Sequence, residues 1–335
     1  MKTWLRLGVT LLLSIALLVY VVDVRVVAQT LARCDPLWAL VAFAALTIDR
    51  VLMSYKWGLL LSIRGYSIGL ARQLMVYCSA MMWGLALPST VGADGIRVVL
   101  VRRFGVRVDD TLATILVERG IGFVSALLTA LVGVLILRTQ VELSTTFDTL
   151  LFLGGLALVG AIAIVAFSFS QRALDWMLRL LPRRFAEGKI GQLFTRLHGA
   201  YRSLAVERSK LLWFGTLTVI EQVLMIACYG LTAVALGIDF NATFLFAAVP
   251  LAILISRLPI SIDGIGVYEG IFIGIMTLGG VRAEDSLAIS LAMRALQILV
   301  WLPWWLMMAF HTKNLRPPAE ATHQPLASSA ARAAD

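Results

Sequence analysis

Long runs of apolar residues recur along the chain, and short polar or basic segments separate them. A helix that crosses the hydrocarbon core of a bilayer needs about 20 predominantly apolar residues. The pattern therefore predicts an all-α polytopic membrane protein with about six spanning helices. These cover Leu5–Val22, Leu37–Ile63, Val108–Leu137, Thr149–Phe169, Leu211–Leu236 and Ser286–Phe310.

Two further apolar stretches, Leu70–Arg103 and Thr243–Gly280, are interrupted near their middle. The interruptions lie at Pro88 and Pro259, and an Asp-Gly pair follows each proline. Proline lacks the N–H group that a continuous helix requires. We therefore predict that each stretch forms a re-entrant helical hairpin instead of a simple span.

The two interrupted stretches occupy matching positions in two segments of similar length. Residues 37–137 and 211–311 each have the order span, hairpin, span, and the hairpins are expected to enter from opposite faces. This order predicts an inverted-topology repeat, in which interrupted helices at matching positions indicate a transporter's substrate site. The alternative is that Leu-Pro and Asp-Gly pairs recur by chance.

The remaining parts of the chain flank or connect these two repeats. Residues 1–36 are predicted to form an anchor helix and a linker, although a cleaved signal peptide is an alternative. Residues 138–210 combine a span with a basic cytoplasmic helix that lies either on anionic headgroups or between the two halves. The tail, residues 312–335, is expected to be disordered.

Composition and charge exclude several classes of protein. With 60% hydrophobic and 15% charged residues, the chain is not an ordinary soluble enzyme, a disordered chain or a disulfide scaffold. The net charge of +9 comes from Lys and Arg beside apolar segments, which favours an anionic bilayer surface over nucleic acid as partner. The basic segment 172–210 predicts cytoplasmic termini in the cytoplasmic (inner) membrane. Cysteines and histidines are few and scattered, so we predict no metal site, no cofactor and no catalytic residue.

Charged residues inside the apolar runs are costly, by about 2.5–3.5 kcal/mol each on insertion scales. One interpretation is that they form buried ion pairs that fix helix packing. The other is a polar cavity in which arginines bind an anionic headgroup. Because neighbours on a helix point about 100° apart, the adjacent pairs Asp49-Arg50 and Glu118-Arg119 are each expected to bind partners on other helices.

The predicted substrate site combines these charges with the two hairpin breaks. Half-helices that begin near Gly95 and near Gly264–Val267 offer free N–H groups to an anion, unless Asp94 and Asp263 simply cap them. The predicted substrate-binding residues are Arg97, Arg119, Arg257, Arg294, Asp94, Gly95, Asp263, Gly264 and Gly266. Glu118, Glu221 and Glu269 are predicted counter-charges or proton carriers, and Arg50 and Lys56 are placed near the cytoplasmic mouth.

Four segments in order resemble the transmembrane region of lysylphosphatidylglycerol synthases, a family that includes stand-alone, flippase-like (YbhN-like) membrane proteins. The segments are Tyr55–Leu61, Leu87–Arg97, Glu118–Gly122 and Leu258–Gly270. The resemblance implies movement of lipid between leaflets. The sequence after His311 is rich in Pro and Ala, so the lysine-adding reaction of fused members is not expected.

Three functions follow as hypotheses. The leading one is a transporter, not an enzyme, that moves an anionic phospholipid or a lipid-linked glycan between leaflets. The second is an intramembrane enzyme that modifies a phospholipid or polyprenyl-linked lipid. The third is a membrane partner of a glycosyltransferase or synthase. The sequence contains no phosphate-binding loop of the ATPase type, so transport driven by ATP is not expected.

Overall fold

The computed structural model describes residues 24–85, 90–139, 144–180, 188–256 and 264–311. The predicted first span, Arg257, Asp263, both interrupting prolines and the tail lie outside the described residues. Within the described ranges all regular structure is helical. The α-helices are α1 (Val24–Ala32), α2 (Pro36–Ile63), α3 (Leu70–Gly84), α4 (Thr90–Val101), α5 (Val108–Arg138), α6 (Ser144–Ser168), α7 (Gln171–Leu180), α8 (Lys189–Leu204), α9 (Arg208–Ala235), α10 (Ala242–Ser256), α11 (Val267–Leu278) and α12 (Ala283–His311).

Five of these helices are long and apolar enough to cross a membrane: α2, α5, α6, α9 and α12. They coincide with five of the spans that the sequence predicts. The all-α, multi-pass membrane architecture is therefore confirmed.

Each interrupted stretch forms two short helices that pack against each other, α3 with α4 and α10 with α11. The longest of the four have 15 residues, which is about 22 Å at 1.5 Å per residue. A bilayer core is about 30 Å thick, so none of the four crosses it alone. Glycine permits close packing in both pairs. A Cβ atom on Gly84 would lie 2.8 Å from Cβ of Ala93, and one on Gly264 would lie 2.6 Å from Cβ of Ser256.

The two halves exchange contacts in a matching way. The first span of each half, α2 and α9, pack against each other. The last span of each half packs against the opposite hairpin, α5 against α10 and α12 against α3. At Gly133 in α5 the helices approach so closely that a Cβ atom would collide with the carbonyl oxygen of Phe246 in α10. This arrangement places both hairpins between the halves.

The last spans of the two halves run in opposite directions. Met308, near the end of α12, is buried in one cluster with Val106, which immediately precedes α5. At the other end of the molecule, the backbone N–H of Asp35 donates to the carbonyl of Ala235, so α2 begins where α9 ends. The end of α12 therefore lies near the start of α5, and the end of α9 lies near the start of α2.

The basic segment after α6 forms α7 and α8, while residues 181–187 lie outside the described residues. The apolar side of α8 packs against the neighbouring ends of α2 and α5, with Leu204 fully buried. Tyr201 stacks on Phe169 at 4.4 Å between ring centroids. These contacts favour the interpretation of α8 as a helix docked on protein over one that lies on headgroups.

A polar cluster fixes the loop between α2 and α3. Arg64 lies 2.6 Å from Asp110 of α5, and the hydroxyl of Tyr66 donates to the same carboxylate at 2.6 Å. Burial, followed by this hydrogen bond, raises the pKa of Tyr66 to about 12. The phenol therefore remains a protonated donor at physiological pH.

Candidate functional site

Two adjoining cavities lie between the halves. The first has a volume of about 220 Å³ and contains Lys56, Glu118, Arg119 and Glu221; we name it the Arg119 cavity. The second, the Arg294 cavity, has a volume of about 290 Å³, and its lining includes Arg50, Glu221, Tyr229, Tyr268 and Arg294. Both hairpins contribute: α3 and α4 line the Arg119 cavity, and α10 and α11 line the Arg294 cavity.

The two cavities share part of their walls. The residues common to both are Met53, Met81, Leu85, Glu221, Gln222 and Trp301. Trp301 is 8% exposed, and its indole N–H finds no hydrogen-bond partner in the described part of the chain. A buried, unpartnered donor is rare in proteins. The shared wall therefore combines apolar side chains with the polar side chains of Glu221 and Gln222.

The two arginines occupy the same position in the last span of their halves. Arg119 is eleven residues, about 17 Å, beyond the first residue of α5, and Arg294 is equally far beyond the first residue of α12.

Arg97 is enclosed by acidic and aromatic side chains of the first half. Its guanidinium lies 2.9 Å from Glu118 and 3.4 Å from Asp94. The ring centres of Trp57 and Tyr77 lie 5.2 and 5.1 Å from its central carbon, within cation–π range. Arg97 is 1% exposed and lines neither cavity. It therefore packs inside the first half and lines neither cavity, whereas the sequence predicts that it binds substrate.

Arg119 faces its cavity while it holds a carboxylate of the hairpin. Two of its nitrogens donate to Asp94, at 3.1 and 2.9 Å, and its side chain is 43% exposed. The neighbouring Glu118 accepts a hydrogen bond from Tyr77 at 3.1 Å in addition to its pair with Arg97. Here the expectation that adjacent charges bind different partners is confirmed.

The second half repeats this pairing between its last span and its hairpin. Arg294 donates to Glu269 of α11 at 3.4 Å, and its side chain is 31% exposed. The other carboxylate oxygen of Glu269 accepts the backbone N–H of Gly266 at 2.7 Å, at the start of α11. Gly264 and Gly266 have φ of +71° and +81°, which strongly favours glycine.

The remaining buried charges come from α2 and α9. Lys56 pairs with Glu221 and also donates to Thr218 at 3.1 Å. Arg50 pairs with Asp49, its own neighbour in the sequence. The expectation that these two residues bind other helices was therefore wrong for this pair. A long guanidinium side chain folds back along the helix, whereas the Cβ direction alone predicts divergence.

The positions of Asp94 and Gly95 in α4 also differ from the prediction. Both residues lie inside the described helix Thr90–Val101 and not at its N-terminus. Asp94 does not act as a cap because its carboxylate binds Arg97 and Arg119. Gly95 is exposed, with open space where a Cβ atom would lie. In the second half, α11 begins at Val267, within the predicted range.

The predicted site residues thus divide into three groups. Arg119, Arg294, Glu118, Glu221, Arg50 and Lys56 line the cavities. Arg97, Asp94, Glu269, Gly264 and Gly266 support the site from behind, while Gly95 lies apart. Arg257 and Asp263 lie outside the described residues.

Sequence reasoning did not single out three cavity residues, Thr218, Gln222 and Trp301. Uncharged side chains in apolar helices give no distinct signal, although polar residues one turn apart on α9 are a weak one. The described residues contain no cluster of three His, Cys, Asp or Glu side chains that is suited to a metal ion.

Comparison with known proteins places the chain in a family. Residues 4–304 match the family model described as the lysylphosphatidylglycerol synthase TM region. Two relatives from Methanothermobacter thermautotrophicus are each named UPF0104 membrane protein. One is 21% identical over 80% of this chain and 81% of the relative, and the other is 18% identical over 84% and 87%. No solved structure matches the chain. The chain belongs to the family of the lysylphosphatidylglycerol synthase transmembrane region.

Proposed function

We propose that this protein is a lipid flippase, a transporter and not an enzyme, which moves a phospholipid between the leaflets of the cytoplasmic membrane. The headgroup binds in the Arg119 and Arg294 cavities while the acyl chains remain in the surrounding lipid. The termini lie on the cytoplasmic side, where basic segments accumulate.

The pair of adjoining cavities between the halves carries this proposal. Each cavity alone is smaller than the roughly 300–1,000 Å³ of common small-molecule pockets, whereas the two together fall within that range. Charged side chains within a membrane-spanning region cost free energy, so their presence there is a sign of function. An arginine at the same position in the last span of each half, with one cavity at each, supports a route with one binding position for each leaflet.

Rocking of one half against the other would then open each cavity in turn. In transporters with inverted repeats, alternating access arises from such motion around a central site. Here each last span packs on the opposite hairpin, so movement of one half changes the walls of both cavities. Glu221, which lines both cavities and pairs with Lys56, is placed to exchange partners during that movement.

The test is lipid translocation in vesicles that contain the purified protein. Phospholipids with a fluorescent NBD group on one acyl chain lose fluorescence to external dithionite only from the outer leaflet. We expect the protein to accelerate loss of the inner-leaflet signal over empty vesicles. Arg119→Gln and Arg294→Gln should each slow translocation by about tenfold or more, since a charge-assisted hydrogen bond contributes about 1.5–3 kcal/mol.

Arg138→Gln is the matched control, because Arg138 is an exposed arginine that pairs with Asp148 away from both cavities. It should translocate lipid at the wild-type rate. The proposal fails if no headgroup moves faster than in empty vesicles. It also fails if folded Arg119→Gln and Arg294→Gln proteins both retain the wild-type rate.

A further inference from the structure

The charges deep within the two halves balance. The described basic residues of this group are Arg50, Lys56, Arg97, Arg119 and Arg294, and the acidic ones are Asp49, Asp94, Glu118, Glu221 and Glu269. The lining of the Arg119 cavity is balanced, with Lys56 and Arg119 against Glu118 and Glu221. The Arg294 cavity has Arg50 and Arg294 against Glu221 in its lining, and it reaches balance only with Asp49 and Glu269, the buried partners of the two arginines.

Every basic residue of this described group already has a carboxylate partner. An anionic headgroup that binds Arg119 must therefore compete with Asp94, and the cavity then gains a net negative charge. A single unit charge at about 10 Å, in a medium of intermediate polarity, changes affinity by about tenfold. The balance thus disfavours a headgroup with net charge of either sign.

A headgroup that carries both charges avoids this cost. Its phosphate can accept hydrogen bonds from Arg119, whose guanidinium side chain is 43% exposed and lines the cavity. Its ammonium group can donate to Glu118 or Glu221, which line the same cavity. The phosphate replaces Asp94 as the anionic partner of Arg119. The ammonium group replaces Lys56 as the cationic partner of Glu221, or Arg97 as that of Glu118. The formal charge of the filled Arg119 cavity therefore stays at zero.

We propose that the transported lipid is a zwitterionic phospholipid, with one phosphate and one ammonium group in its headgroup, and not the net anionic lipid that the sequence suggested. This inference rests on the proposed flippase function. It assigns the selectivity to the sum of the charges that line the cavities and of the buried carboxylates that pair with them, and not to any single arginine.

The test compares two labelled lipids in one vesicle type. Vesicles of equal parts phosphatidylethanolamine and phosphatidylglycerol receive a trace of either lipid with NBD on an acyl chain, so the headgroups stay native. For the wild-type protein we expect phosphatidylethanolamine to cross at least about ten times faster than phosphatidylglycerol. Equal rates, or faster phosphatidylglycerol, would overturn the inference and leave the flippase function standing. No acceleration of either lipid would overturn both.

Charge variants test the balance directly. Glu221→Gln leaves an excess positive charge and should reduce the preference for phosphatidylethanolamine by about tenfold, whereas Lys56→Gln should increase it. The double variant Lys56→Gln/Glu221→Gln restores the balance and should recover the wild-type ratio, whatever its absolute rate. An active double variant with a changed ratio would contradict the inference, and so would a Lys56→Gln protein that prefers phosphatidylglycerol. The double variant keeps the test decisive if Glu221→Gln alone does not fold.

Discussion

Arg119 and Arg294 are each the twelfth residue of the last span in their half, and each binds a carboxylate on the preceding hairpin. These carboxylates, Asp94 and Glu269, each bind a second group, and that group differs between the halves. Asp94 also binds Arg97, which is held by Glu118 and two aromatic rings, whereas Glu269 binds the backbone at the start of its own helix. Among the contacts of the described residues, the carboxylate that binds Arg119 belongs to a network of charges, and the carboxylate that binds Arg294 also binds a helix terminus.

The comparison shows that equivalent pairs of an arginine and a carboxylate can have different surroundings in the two halves. In the first half, removal of one charge leaves several others unbalanced. In the second half, the distance from Arg294 to Glu269 is longer, at 3.4 Å. The other oxygen of Glu269 accepts a backbone N–H, which the oxygen of a neutral amide side chain can also accept. We therefore expect the first half to depend more strongly on its charges.

The largest expected effect comes from Arg97→Met. Methionine fills much of the same space but leaves the carboxylates of Glu118 and Asp94 with fewer partners in a buried site. Loss of one partner of a buried ion pair destabilises a protein by about 3–5 kcal/mol. Thermal unfolding in detergent, followed by circular dichroism, should show a clear decrease in midpoint. An unchanged midpoint would contradict the network, while Arg138→Met, at an exposed pair, should shift stability by at most about 1 kcal/mol.

The next effect concerns the backbone of the second hairpin. Gly264→Ala places a side chain at φ +71° and brings its Cβ to 2.6 Å from Ser256. The left-handed conformation costs about 1–2 kcal/mol, and the added atom must also displace its neighbour. Gly270→Ala in α11 is the control, because no atom lies within 4 Å of the new Cβ. Equal unfolding midpoints for the two variants would show that the second hairpin does not depend on glycine at its break.

The smallest expected effect is the difference in stability loss between Asp94→Asn and Glu269→Gln. Asparagine keeps one oxygen but removes the charge that two arginines share, so we expect a loss of about 1–3 kcal/mol. Glutamine can still accept the N–H of Gly266, so we expect about 1 kcal/mol. Unfolding midpoints measured side by side in the same detergent decide the order. A larger loss for Glu269→Gln would reverse the assignment of the two halves.

Hydropathy predicted most of the fold because membrane spans are defined by length and apolarity alone. The predicted Val108–Leu137 corresponds to α5 at Val108–Arg138, and each interrupted stretch contains two short helices, as predicted. The prediction that Asp94 lies at a helix start was wrong, because Asp94 lies inside α4 and its carboxylate binds two arginines from later in the chain.

The candidate site was predicted in composition but not in geometry. Charged residues in apolar segments identified the members, because few other roles justify them. Their pairing depends on which helices meet, and a single sequence does not contain that information. Arg97 and Arg119 look equivalent in the sequence, yet one is enclosed by Trp57 and Tyr77 and the other lines a cavity.

The position of Trp301 has a consequence for the direction of transport. Its indole belongs to the walls of both cavities, so a headgroup that moves inward and one that moves outward meet the same ring. In the proposed mechanism this residue cannot favour one leaflet over the other. A defect there would slow import and export by the same factor, and any vectorial bias must come from groups that only one cavity possesses.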